Sequence, residues 1–226
     1  MTKKPTGPAR LPLTTEELER LTAVDLVRLK LTDDEKARLR EINKAREQDR
    51  VERVARMRAE QTLLLAELQA TGLKIQSVSD LINTSERYER AIPVLLKHLA
   101  IAYSDVTKET IARALAVPER EVRKAWPILV DEYRKAPRGW GIKGPGDSME
   151  FRLGAKDALA CALSVAVTDE TLEELIAIAK DRTQGESRVL LLSALRKSKN
   201  PLAKQAIREL ASDPDLEKEI ASWRKR

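Results

Sequence analysis

A single histidine, His98, in a chain of 226 residues rules out a histidine-based catalytic triad and any multi-histidine metal centre built within one chain. A single cysteine, Cys161, rules out an internal disulfide; within the apolar run ALACALSVAV it reads as a small buried hydrophobe rather than a nucleophile. Aromatic residues make up only 3% of the chain, so small and aliphatic side chains must fill the interior. No apolar stretch approaches the roughly 20 residues of a membrane span, and no secretory signal is recognisable, so no membrane partner is expected and the expected location is cytoplasmic. Runs of alternating β-branched residues are missing too. Ala, Leu, Glu, Lys and Arg dominate, Gly and Pro sit at punctuation points, and the predicted class is all-α.

Concentrated charge of one sign is also absent. The formal net charge is +6, with 16 basic and 13 acidic side chains in residues 1–74 and 26 and 23 in the remainder. A dedicated nucleic-acid binder gathers its cations into a stripe, and the linear sequence has no such block. The glycine cluster RGWGIKGPGDS lacks the GxxxxGK[ST] spacing of a phosphate-binding loop and follows no predicted strand. With no catalytic constellation, the chain is expected to be no enzyme and to carry no cofactor.

What is present is organisation. Residues 1–13, MTKKPTGPARLPL, hold three prolines and are expected to form an extended N-terminal tail. Residues 14–72 read as a helical arm. TTEELERL offers Thr14 or Thr15 as a cap with acidic residues in the first turn, and a second short helix is expected near residues 24–30. Thr32 with Glu35 three residues on has capping-box spacing, and no Pro or Gly follows until Gly72. One helix of about 38 residues, some 57 Å at about 1.5 Å per residue, is predicted there. Its middle, NKAREQDR, is nearly all polar and is expected to face solvent or bridge two bodies. Its second half (Val51, Val54, Leu64, Leu65, Leu68) comes close to coiled-coil spacing and has two uses: packing on the next domain, or joining a homodimer or larger complex through residues 32–71. SVSDLINTS reads as one short helix.

From residue 73 to 226 the chain repeats. Leu95 and Leu129 are 34 residues apart, Leu175 and Ile207 32 apart, and Lys156 and Arg188 again 32 apart. That period is the length of two helices and two turns. Between Leu129 and Leu175 it stretches to 46, which marks an insertion over residues 137–149. About four helical pairs are expected, stacked so that each shields its neighbour's apolar face.

With Pro93 and Pro127 inside two first helices, Asp105, Asp181 and Asp213 near the turns, and Lys108, Lys156 and Arg188 opening the second helices, this region resembles the HEAT repeats. The resemblance implies a short α-α superhelix and a role in binding other macromolecules. On physical grounds each proline should bend its helix, and each Asp should cap the next helix or pair with a basic residue of a neighbouring pair. The alternative use of Lys108, Lys156 and Arg188 is as cations of a concave binding face.

The insertion brings Arg134, Lys135, Arg138 and Lys143 together with Trp140, in a chain holding three Trp and one Phe. Cations beside an exposed aromatic are the makings of a contact site. These five residues are the candidate partner-binding residues. A protein partner is the first expectation and nucleic acid, contacted by inner-helix and insertion cations, the second.

Overall fold

A computed structural model describes residues 10–82 and 84–223. The fold is all-α. Among the described residues are thirteen α-helices and one two-stranded ribbon. No helix among them is long and apolar enough to cross a membrane. The tail expected over residues 1–13 lies outside the described residues up to residue 9, and residues 10–13 carry no regular structure. The chain divides into two compact units, residues 1–54 and 55–226.

The first unit holds α1 (Thr15–Arg20), α2 (Ala23–Arg28) and most of α3 (Asp33–Glu60). Each starts at a threonine whose hydroxyl accepts from the third helical N–H while the acid at that position accepts from the threonine N–H: Thr14 with Glu17, Thr22 with Asp25, and Thr32 with Glu35. Glu35 does more than cap. Its side chain is fully buried and accepts from Leu13 N, Thr32 N and the Arg10 guanidinium, each at 2.8 Å. These donors, the Leu13 N–H foremost, hold its carboxyl down at about 2. A depressed folded value means the contribution is complete above the ordinary 4.5 and lost as pH falls towards 2. The Leu13 and Thr32 amides should therefore keep their hydrogen-exchange protection from pH 7 to about 5 and lose it between about 4.5 and 2; Glu35→Ala, which removes both acceptor oxygens, should abolish it at pH 7. Residues 43–50, the polar middle of α3, are all exposed, as the sequence predicts.

In the second unit the single long helix expected to reach residue 70 is broken. α3 ends at Glu60, Gln61 takes up φ −87° and ψ 2°, and α4 (Thr62–Ala70) begins afresh. The cause is tertiary. Glu60 accepts from Ser104 N at 2.8 Å, from Ser104 Oγ at 2.6 Å and from the Thr107 hydroxyl, and Gln61 Nε2 donates to Thr107 Oγ1 at 3.2 Å. Leu64 and Leu68 of α4 are buried in the core, so this half of the arm packs within its own chain. Of the short helix expected over residues 77–85, the structure forms a 3₁₀ turn, Val78–Leu81, capped by Ser77.

Three helical pairs follow: α5 (Ile92–Leu99) with α6 (Asp105–Ala114); α7 (Arg120–Lys124) running into α8 (Trp126–Lys135), then α9 (Ala155–Ala166); and α10 (Leu172–Lys180) with α11 (Arg188–Lys197). Last come α12 (Pro201–Leu210), which packs on α10 and α11, and the short α13 (Glu217–Ser222). Among the second members, α9 packs on both α6 and α11, while α8 lies on α9 and α10 on α11. One apolar cluster runs from Leu64 to Ile220. Its fill is what the scarcity of aromatics demands: α9 buries Ala155, Ala158, Ala160, Ala162 and Ala166 beside Leu159 and Leu163.

The prolines correct one expectation. Pro93 and Pro127 are not helix-interior residues; each occupies the first turn of its helix, where a missing N–H costs nothing. Pro127 still interrupts the chain, because α7 cannot continue through it and Ala125 turns out to φ −83°, ψ 13°.

Candidate functional site

The insertion lies between α8 and α9 and is folded. Trp140–Gly141 (β1) and Phe151–Arg152 (β2) pair antiparallel, Trp140 opposite Arg152 and Gly141 opposite Phe151. The hairpin is pinned at several points. Asp105, at the start of α6, accepts from Gly154 N at 2.8 Å and Ala155 N at 3.1 Å, and so caps α9 across 50 residues of sequence. Lys143 donates its ammonium to Glu109 at 2.7 Å, its carbonyl accepts from Val106 N at 2.9 Å, and Arg56 Nε donates to Pro145 O at 2.8 Å. Two of the expected contact residues are also committed elsewhere: Lys135 pairs with Asp131, and Arg134 reaches Glu174 at 3.4 Å.

With its backbone held, the hairpin still leaves apolar side chains in water. Trp140 is 70% exposed, Ile142 57% and Met149 65%. Trp140 overhangs a cleft of about 590 Å³ between the hairpin and the turn 182–187, lined also by Arg138, Arg152, Lys156, Arg182 and Glu186. The structure thus brings Arg138 and Trp140 to one cleft, with Lys156 in its wall.

Lys156 and Arg188 require a correction. Neither is a cation of an open face: Lys156 is 5% exposed and Arg188 is fully buried. Lys156 Nζ donates to Tyr133 O at 2.7 Å, Ala136 O at 3.2 Å and Gln184 Oε1 at 2.9 Å, and lies 4.4 Å from the Tyr133 ring centre. Arg188 donates to Ala179 O at 3.1 Å, Gly185 O at 3.0 Å, Asp213 Oδ2 at 2.9 Å and Asp215 Oδ2 at 2.7 Å. Both bind the last carbonyls of the preceding helix, which have no partner inside it and lie at its negative end. Tyr133 and Ala179 are moreover 46 residues apart, the same offset as Leu129 and Leu175.

A second recurrence joins neighbouring pairs. Arg188 meets Asp213 directly. Lys156 reaches Asp181 through Gln184, whose Nε2 donates to Asp181 Oδ2 at 2.8 Å, and the partly exposed Lys108 bonds Glu132 at 2.6 Å. The three basic residues therefore stitch one helical pair to the next. Burial pushes the Lys156 ammonium below the usual lysine range, and the nearby Arg138 charge adds to that.

Other polar groups of this unit have structural uses. His98 is buried with Nδ1 2.7 Å from Tyr103 Oη, and its Nε2 lies 3.2 Å from Glu67 Oε2 without hydrogen-bond alignment. Cys161 is half-buried rather than buried, and burial raises its thiol. Trp223 packs on the core with Arg196 5.0 Å from its ring; the charges that follow it at 224–226 lie outside the described residues.

Comparison of the chain with protein-family models, with curated proteins and with solved structures gave no match. The cleft's own chemistry carries the functional reading.

Proposed function

We propose that the chain is a noncatalytic protein-recognition module, a HEAT-like stack of helical pairs that presents the hairpin 137–153 to a partner protein. Trp140 carries this reading. A large ring 70% exposed on a strand of a hairpin whose backbone is fixed by Asp105, Glu109 and Arg56 is a preorganised anchor, which gains interface area at little ordering cost. The stack is supported by the 32-residue and 34-residue spacings and by the recurring carbonyl cap of Lys156 and Arg188. The lone cysteine fits a reducing compartment, and in this reading the module works in the cytoplasm.

The test is one variant measured twice. A partner captured by the tagged full chain is purified, and its affinity is measured by calorimetry for the wild type and for Trp140→Ala. The expected loss is about 2 kcal/mol or more, roughly 30-fold, as for aromatic anchors. The melting temperature should stay within about 2 °C, because an exposed ring contributes little to folding. Unchanged affinity would remove the hairpin from recognition.

A further inference from the structure

We infer that the cleft beside Trp140 binds an Asp or Glu side chain of an acidic, partly apolar peptide segment, with the Arg138 guanidinium as its anchor. The inference rests on the protein-recognition reading of the hairpin and names what that hairpin recognises.

Arg138 is a positioned cation without a counter-ion. Its side chain lies along Gly185, where an added Cβ would come 2.9 Å from Nη1 and 3.1 Å from Cδ. Gly185 stands at φ +74° and ψ −152°, a conformation close to glycine-only, so the surface under the guanidinium is bare backbone. Among the described residues Arg138 has no ion pair and no hydrogen bond. Lys156 beside it is no substitute, since its ammonium is already held by three oxygens that bear no formal charge. The wall therefore carries two adjacent cations with no carboxylate bound to either.

The remaining cations of the cleft are matched. Arg152 pairs with Glu186 at 3.3 Å and Arg182 with Asp213 at 3.2 Å. An incoming anion is thus directed to Arg138, whose planar fork accepts a carboxylate through two parallel N–H donors. The size of the anionic partner follows from the cleft's own acids. Asp157, Glu186 and Asp215 line the same space, and a phosphate chain laid through it would run past all three. A single carboxylate stops at Arg138 and meets none of that repulsion. Exposed Trp140, which lines the same cleft as Arg138, then gives apolar surface to a residue flanking the acid.

The experiment uses the labelled full chain on an array of immobilised ten-residue peptides. Each peptide with a central Asp or Glu flanked by Leu, Ile or Phe is matched by its Asn or Gln counterpart. The wild type should retain the acidic members about tenfold better, the ratio set by one good charge-assisted contact. Arg138→Gln should bring the two sets level without moving the melting curve, while Trp140→Ala should weaken both. Equal retention of the two sets by the wild type, still sensitive to Trp140→Ala, overturns the carboxylate assignment and leaves recognition by the hairpin standing. No retention of any peptide overturns both readings. Tighter binding of a single-stranded 20-nucleotide RNA, abolished by Arg138→Gln, overturns the peptide in favour of a phosphate ligand.

Discussion

Arg188→Ala is expected to destabilise the unit of residues 55–226 by about 3–5 kcal/mol, the cost of removing one partner from a buried ion pair. At about 2–4 °C per kcal/mol this is a fall in melting temperature of roughly 6–20 °C, read by circular dichroism. The variant leaves Asp213, itself 5% exposed, with the solvent-facing Arg182 as its remaining cation, and it strands the carbonyl of Ala179. The pH dependence separates charge from packing. Hydrogen bonds from Arg188 hold the Asp213 carboxyl below its ordinary 3.8. The pair's contribution is therefore complete above about 3.8 and lost as pH falls through the lower folded value. The gap between wild type and variant should be large at pH 7 and shrink once the pH falls below about 3.8. A gap that does not change with pH would make Arg188 a packing residue. Arg188→Lys should recover part of the loss: Lys156 shows that an ammonium suffices for the carbonyl cap, but it cannot fork between Asp213 and Asp215.

The same position shows how far the residues could be read unaided. A 32-residue offset was enough to make Lys156 and Arg188 equivalent and to suggest pairing with a turn Asp, because repeats preserve register. The offset is silent on depth, since a long cationic side chain occupies a surface or a buried carbonyl cap with equal ease. The helical class was legible from composition, the capping box at Thr32 from three-residue spacing, and a threonine cap at Thr14 or Thr15 from the acidic residues that follow. The break at Gln61 was not. Nothing in MRAEQTLLL opposes a helix, and the interruption comes from Ser104 and Thr107, more than 40 residues away, drawing Glu60 and Gln61 aside.

The insertion was visible as an interruption of the period, and its aromatic and cations as an unusual composition. Which cations stay uncommitted depends on partners that only folding supplies. Glu109 takes Lys143, Asp131 takes Lys135, Glu174 takes Arg134, and Arg138 is left over. Gly185, whose missing side chain makes room for Arg138, lies 47 residues further on in a stretch, RTQGES, that looks like an ordinary turn.

The alanine-rich interior sets the second large effect. Leu159 is fully buried near the middle of α9, the helix that α6, α8 and α11 all touch. Leu159→Ala removes a side chain from among Ala158, Ala160 and Ala162, small residues that already bring the neighbouring backbones close and have no rotamers with which to refill the space. The cavity should persist, and the loss should fall in the upper part of the range of about 2–5 kcal/mol for such truncations. Val165→Ala, on a more exposed face of the same helix, should change stability by no more than about 0.5 kcal/mol, because little burial is lost. The way the variant unfolds tests the shared core as well. If one apolar cluster from Leu64 to Ile220 holds these pairs, Leu159→Ala shifts a single transition for the whole unit, and amides of α5 and α11 lose exchange protection together with those of α9. Early exchange confined to α9, with α5 and α11 unchanged, would mean that the pairs are stabilised separately, and the stacked-repeat reading would lose its energetic basis.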